Sequence, residues 1–239
     1  MLATGQVSAV ILGAYAAAWI AWDRDHETLG GLLLSLCLLK FQLVAGFCAV
    51  LLLRRRFRAL AGVAAGALVL YALGTVIAGP AWPLDEIRIT RTGEDLGGYG
   101  WIMPNLHGLV ARMTGQNHMA IVLAASVAVI LLAAFTRGNK DREFCAALVA
   151  SMLASWHMNP HDLVLTLIPL CLSDRLGWPG WAFVGASGGL IAGCIFWANP
   201  HDAALMGIPL LALFALLVFR FPRVVLTENL GDSAIDGPG

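Results

Sequence analysis

Charged residues are scarce in this sequence. Only 13% of its 239 residues are Asp, Glu, Lys or Arg, and the 15 basic side chains balance the 15 acidic ones. A chain without net positive charge has no electrostatic signature of nucleic-acid binding, so we expect no nucleic-acid partner. Hydrophobic residues make up 59% of the chain and the mean hydropathy is +0.78. These values exclude an ordinary soluble domain and predict a helical membrane protein with several spans.

Two further absences narrow the class of protein. No Lys or Arg precedes the first apolar run, 6–22, so this segment lacks the charged start of a secretory signal peptide. All five cysteines lie inside apolar runs, where cysteine behaves as a small buried side chain. The sequence therefore predicts no disulfide framework.

The apolar runs predict an all-α fold, a polytopic transmembrane helical bundle of about eight spans that include short broken helices. Residues 1–226 are expected to form one transmembrane domain, and the polar tail 227–239 to be disordered. Basic residues mark cytoplasmic loops, and ten fall on one side of the predicted membrane against four on the other. The chain is therefore predicted to be a multi-pass plasma-membrane protein with a cytoplasmic C-terminus. The ten are Arg54, Arg55, Arg56, Arg58, Arg137, Lys140, Arg142, Arg175, Arg220 and Arg223, and the four are Arg24, Arg88, Arg91 and Arg112.

Lys40 interrupts the apolar run 29–53 near its middle. The run is long enough for one tilted span, but it could also form two half-spans with a bend at Lys40, Phe41 and Gln42. In the second arrangement the charged loop 23–27 moves to the cytoplasmic side. A lysine this far from either end of a span cannot easily reach the membrane surface, so we expect it to face a cavity or an anion.

The most informative stretch is a pair of short apolar runs, 144–156 and 163–173, separated by a polar turn. Each run reaches only about 16–20 Å, so a turn between them would lie below the membrane surface. Polar groups at such depth are expected to be functional. Asp162 and His161 are therefore the candidate catalytic residues, and His157 and Asn159 are candidate substrate ligands.

Two other interpretations of this turn stay open. Pro160 ends a helix and Asp162 could be the N-cap of the next one, which would make the turn purely structural. His157 and His161 have a spacing found in metal sites, but Pro160 interrupts the helix that would bring the two rings together. No metal site is predicted.

The same turn occurs twice. Residues 159–170 and 199–210 match at eight of twelve positions, and both begin Asn-Pro-His-Asp. We interpret this as a duplicated helical hairpin. The apolar runs around the second copy are of full length, so only the first copy is expected to lie below the surface.

The order of these motifs resembles the second half of glycosyltransferase family 87, bacterial membrane enzymes that transfer a sugar, typically mannose, from a polyprenyl-phosphate carrier. The resemblance covers residues 5–173. The matching residues are Gly5-Gln6, Gly30-Gly31, Lys40, Gln42, the basic cluster 54–58, the segment 103–109 with Asn105 and His107, and His161-Asp162-Leu163.

The resemblance implies a hexosyltransferase with part of a GT-C type fold and an extracytoplasmic active site. Its partners would be a polyprenyl-phosphate-linked sugar donor, a glycolipid or glycan acceptor and membrane lipid, and it would need no cofactor. Developing charge on the lipid phosphate would be stabilised by cationic or hydrogen-bonding groups. The substrate ligands implied are Lys40, Gln42, Asn105, His107, Arg112, His157 and Asn159.

Such enzymes carry their catalytic carboxylate in a first extracytoplasmic loop, which would precede Gln6. The chain is therefore expected to be the C-terminal part of a larger domain, working with a separate N-terminal half or as a fragment. A secondary transporter would also have broken helices, polar groups at depth and internal repeats. A non-catalytic membrane remnant or assembly subunit is the third interpretation.

Overall fold

The computed structural model describes residues 7–85, 88, 102–172 and 200–219, with only the backbone given for 200–202. In this part of the chain the structure is helical and contains no strand. The predicted span 181–197 and the predicted tail 227–239 lie outside the described residues. The helices that position the site are α1 (Ser8–Asp23), α2 (Glu27–Leu34), α3 (Phe41–Leu53), α4 (Phe57–Ala78), α5 (Leu106–Thr114), α6 (Met119–Phe135), α7 (Lys140–Ala154), α8 (Leu167–Cys171) and α9 (Gly207–Val218), with 3₁₀ segments at Ser35–Lys40, Pro160–Thr166 and Pro200–Met206.

The helix ends gather at two opposite ends of the bundle. At one end, Lys140 Nζ lies 2.7 Å from Asp25 Oδ1, and this hydrogen bond lowers the pKa of the Asp25 carboxyl. Arg56 pairs with Glu27 at the same end. We name this the basic end, formed by residues 23–27, 54–57 and 136–143. We name the opposite one the polar end, formed by Ser8, Lys40 and residues 155–166.

Two stretches of the described residues, Glu27–Leu53 and Phe57–Ala78, are long and apolar enough to cross a membrane. Only Phe57–Ala78 is one continuous α-helix. An unbroken helix of 27 residues would be about 40 Å long. However, Glu27 pairs with Arg56, which follows the end of the stretch. Glu27–Leu53 therefore folds back on itself as two half-spans.

The bend of this hairpin is at Lys40, whose backbone leaves helical geometry with φ −137° and ψ 66°. Of the two arrangements that the sequence allowed, the structure has the one with the bend. Both ends of the hairpin lie at the basic end, and so does the loop 23–27. The one-crossing arrangement had placed Arg24 on the opposite side from the basic loops, whereas the bend brings loop 23–27 to the same end as those loops.

The hairpin stops short of the far side of the bundle. Helix α3 has 13 residues and is about 20 Å long, whereas α4 has 22 residues and is about 33 Å long. With the basic end at a membrane surface, Lys40 lies about 10 Å below the other surface of a hydrocarbon core of about 30 Å. In that placement the bend of the hairpin puts the Lys40 ammonium group inside the membrane.

Small residues allow the hairpin to pack closely on α4. A methyl group on Gly62 would lie 2.1 Å from the Thr28 carbonyl oxygen, and one on Gly31 would lie 1.9 Å from the Ala59 carbonyl oxygen. Such contacts are impossible for a larger side chain, so α2 and α4 approach through these glycines, as small residues allow between membrane helices. This contact fixes the hairpin against the one full-length span that the described residues contain.

Helix α7 is the centre of the bundle. Every residue from Phe144 to Leu153 is buried, which is typical of a helix surrounded by others. Helix α4 is the opposite case: among its 22 residues only Ala59, Gly62, Val63 and Gly66 are buried, and Val76 and Ile77 near its end are almost fully exposed. An apolar surface of this kind is expected to face lipid.

Candidate functional site

An ion pair at the polar end joins the hairpin to the first Asn-Pro-His-Asp turn. Lys40 Nζ lies 2.5 Å from Asp162 Oδ1, and the two side chains are 15% and 1% exposed. Two residues 122 positions apart in sequence thus meet at the bend of the hairpin. The carboxylate is buried behind the ammonium, so the ammonium is the accessible member of the pair.

Both oxygens of Asp162 are engaged. Oδ1 also accepts a 2.6 Å hydrogen bond from the Ser8 hydroxyl, and Oδ2 accepts one of 3.0 Å from the Asn159 backbone N–H. The second bond shows that Asp162 is the third residue of the 3₁₀ segment and Asn159 its N-cap, with Pro160 at the first position. The structural interpretation that made Asp162 itself the N-cap is therefore wrong, although the turn does have a capping function.

His161 lies on the accessible side of the pair. Its Nε2 is 3.4 Å from Lys40 Nζ and 3.8 Å from Asp162 Oδ1, and its side chain is 29% exposed. Because an ammonium can only donate, Nε2 accepts this hydrogen bond and Nδ1 carries the proton of the neutral ring. His157 lies close enough to interact electrostatically with His161. Three groups that can carry positive charge therefore converge here, with one buried carboxylate behind them.

Sequence reasoning missed Ser8. It is buried at the first position of α1, and its partner lies 154 residues further along the chain. The sequence signal for it was its place close to Gly5-Gln6, which the resemblance had marked. Ser8 orients the carboxylate that holds Lys40.

Asn105 and His107 form a second polar group at the same end of the bundle. Asn105 is fully buried, caps α5 by accepting from the Gly108 N–H at 2.9 Å, and donates to the Ser155 carbonyl at 2.8 Å. His107 Nδ1 lies 3.2 Å from the Trp156 carbonyl oxygen. These residues hold the start of the segment 155–162, whose last residue is Asp162.

The remaining candidate ligands are placed less centrally. Gln42 is half-buried on the first turn of α3, with no hydrogen bond to the described residues, and Arg112 is exposed on α5. Neither takes part in the Lys40–Asp162 group. In the described ranges, no three His, Cys, Asp or Glu side chains cluster so that they could hold a metal ion.

The second copy of the turn has the same backbone as the first. Pro160–Thr166 and Pro200–Met206 are both seven-residue 3₁₀ segments, and an α-helix begins at the next residue in each. The second copy packs on α5, where a methyl group on Gly207 would lie 2.8 Å from Leu109. The two copies therefore stand at the same end of the bundle but contact different helices.

Comparison with known proteins adds one finding. The model of glycosyltransferase family 87 matches residues 1–160, which is 160 of the 239 residues. No curated protein and no solved structure shows significant similarity to the chain. The matched region includes Lys40, Asn105 and His107 and ends just before His161 and Asp162.

Proposed function

We propose that this chain, which belongs to glycosyltransferase family 87, transfers a hexosyl group, typically mannosyl, from a polyprenyl-phosphate donor to an extracytoplasmic glycolipid or glycan of the bacterial cell envelope. Family membership indicates a membrane glycosyltransferase. The donor, the acceptor and the side of the membrane are part of the proposal. One observation carries it: a partly exposed lysine at the bend of an apolar hairpin is held by a buried carboxylate.

Lys40 fits the phosphate of a lipid-linked donor. Its ammonium has three N–H groups, of which Asp162 takes one and His161 can take a second. The third has no partner among the described residues. When the glycosidic bond to the phosphate breaks, negative charge develops on the phosphate oxygen, and a fixed ammonium in a poorly solvated site stabilises that charge. His161 can donate to the same anion from Nδ1, with His157 nearby.

Asp162 is better suited to positioning Lys40 than to acting as a base. A general base must reach the proton that it removes. Here the carboxylate is 1% exposed and its two oxygens already accept three hydrogen bonds, from Lys40, Ser8 and Asn159. The base that activates the acceptor hydroxyl is therefore expected outside this group, as the resemblance implies for a first-loop carboxylate.

The bilayer has direct access to this part of the hairpin. Leu39 and Phe41, on either side of Lys40, are 56% and 55% exposed. Exposed apolar side chains at this depth face lipid tails rather than water. A phosphate attached to a long isoprenoid chain could therefore reach Lys40 from within the membrane while its chain stays in hydrocarbon.

The two lysines of the chain provide the test. Lys40→Met removes the ammonium at the polar end, and Lys140→Met removes one at the basic end, where it is half-exposed. Purified full-length variants are reconstituted with polyprenyl-phosphate hexose, and both transfer and binding of polyprenyl phosphate are measured. We expect Lys40→Met to reduce transfer on the order of 10²–10³-fold and to weaken lipid-phosphate binding, and Lys140→Met to change neither.

Equal activity of the two variants would refute the role of Lys40. If the unmodified chain binds polyprenyl phosphate but transfers no sugar until an N-terminal half is added, it is an incomplete enzyme. If it neither binds the lipid nor transfers sugar, the assembly-subunit interpretation replaces the proposal.

A further inference from the structure

We propose that Trp156, with Asn117 beside it, forms a subsite for a pyranose ring next to the phosphate group at Lys40. This inference rests on the proposed function and extends it to two residues that the sequence did not indicate. The ring would belong to the donor sugar or to the acceptor sugar, since both have the same chemistry.

Trp156 is the exposed residue of a buried segment. Its side chain is 48% exposed, whereas Ser155 before it and Met158 after it are buried. The indole is half exposed but is held in place by contacts with neighbouring residues. Asn105 donates to the Ser155 carbonyl at 2.8 Å, and the His107 ring lies 5.4 Å from the indole at 46°. Asn105 therefore holds the backbone just before Trp156, and the His107 ring packs against the indole, which is still half exposed.

Asn117 provides polar groups at the same place. It is exposed, and its side-chain oxygen lies 3.3 Å from His107 Nε2. An amide can make up to four hydrogen bonds, so this single contact leaves most of its capacity available. Asn117, His107 and Trp156 thus form a row with an exposed amide at one end and a half-exposed indole at the other.

This combination suits a sugar rather than a phosphate. A pyranose has a face of C–H groups that packs on a flat aromatic ring, and an edge of hydroxyls that needs neutral donors and acceptors. The Lys40 group, in contrast, is cationic and suits an anion. Trp156 and His161 are five positions apart in sequence, so their backbones are separated by at most about 18 Å. A sugar and the phosphate to which it is attached fit within that range.

The main competing explanation is that Trp156 is only an anchor at the membrane interface, where tryptophan is common. Trp82 allows the two to be separated. It lies after the end of α4, packs on Tyr71 with ring centroids 6.3 Å apart, and donates to the Tyr71 carbonyl at 3.4 Å. Trp82 is thus an anchor-type tryptophan that contacts neither Asn117 nor His107.

The test uses methyl α-hexopyranosides of mannose, glucose and galactose as probes for the purified full-length protein in lipid nanodiscs. Saturation-transfer NMR reports which ring protons contact the protein. We expect contact on one face of the pyranose, retention of binding in Trp156→Phe and Trp82→Leu, and binding about tenfold weaker in Trp156→Leu. Tenfold corresponds to about 1.4 kcal/mol. Asn117→Ala should weaken binding severalfold without changing the protein's thermal stability.

Kinetics then identify the source of the ring. A raised KM for the polyprenyl-phosphate hexose in Trp156→Leu assigns the subsite to the donor, and a raised KM for the acceptor assigns it to the acceptor. Unchanged glycoside binding in Trp156→Leu, or equal loss in Trp82→Leu, would overturn the subsite and leave the role of Lys40 intact. If Trp156→Leu does not fold, unchanged binding in Asn117→Ala has the same meaning. Glycoside binding without any sugar transfer would instead count against the proposed function alone.

Discussion

Replacing one member of the Lys40–Asp162 pair should lower the free energy of unfolding much more than replacing both members. At 2.5 Å the attraction between the two charges is about 7 kcal/mol for an effective dielectric constant of about 20. Removing each ion from water costs several kcal/mol, so the pair as a whole contributes little net stability. The cost of removing an ion from water becomes measurable when that ion loses its partner.

The experiment is a double-mutant cycle of Asp162→Asn, Lys40→Met and the double variant. Asn at 162 can still accept the N–H of Asn159, so the cap at the turn is retained in part. Each single variant should lose about 3–5 kcal/mol of unfolding free energy, because it leaves a buried charge unpaired. The double variant should recover most of that loss, because neither charge remains.

Stability is measured by reversible unfolding of the full chain in mixed detergent micelles, and transfer is measured on the same samples. We expect the double variant to be folded and inactive. If Asp162→Asn alone is as stable as the unmodified protein, the buried pair is not an ion pair in the membrane. If the double variant still transfers sugar, Lys40 does not hold the donor phosphate, whatever its contribution to stability.

Two other expectations test the hairpin itself. Gly62→Ala should destabilise the protein by about 1–3 kcal/mol, because its methyl group would lie 2.1 Å from the Thr28 carbonyl oxygen. Gly13→Ala is the control and should be neutral or slightly stabilising, because nothing lies within 4 Å of that position. Equal unfolding midpoints of the two variants would contradict the close packing of α2 on α4. The second test uses single cysteines in a cysteine-free background and an impermeant thiol reagent on intact cells. Asp25→Cys should be shielded, since loop 23–27 lies at the basic end, and Gln116→Cys should react. Labelling of both cysteines from outside would refute the hairpin.

The sequence predicted the helical class and offered a bend at Lys40 as one of two arrangements, because both depend on local properties. Apolar run lengths are bounded by the thickness of a membrane, and a lysine within such a run needs a polar surrounding. The repeat was likewise visible from residue identities, and both copies have the same backbone from the proline onward. A local pattern could therefore identify Lys40 and the first turn separately.

The contact between Lys40 and the first turn could not be predicted from a local pattern. Ser8, Lys40 and Asp162 come from three elements, and no periodicity within one element indicates which polar group will meet which. The position of loop 23–27 was missed for a related reason. A 25-residue apolar run is compatible with one crossing or with none, and only the long-range pair between Arg56 and Glu27 distinguishes them.

The family match ends at residue 160, within the turn that carries the partner of Lys40. Residues 1–160 contain Lys40 and the hairpin that carries it into the membrane, but the carboxylate that balances Lys40 lies two residues beyond that match. Without Asp162 the Lys40 ammonium would lose the buried charge that balances it. The segment that follows the matched region is therefore part of the same physical unit. It supplies Asp162 to hold the ammonium and His161 beside it, and it is anchored through Ser155 and Asn105 to the helix that carries His107. The cation is kept in this apolar hairpin because the turn that follows the matched region supplies the carboxylate behind it.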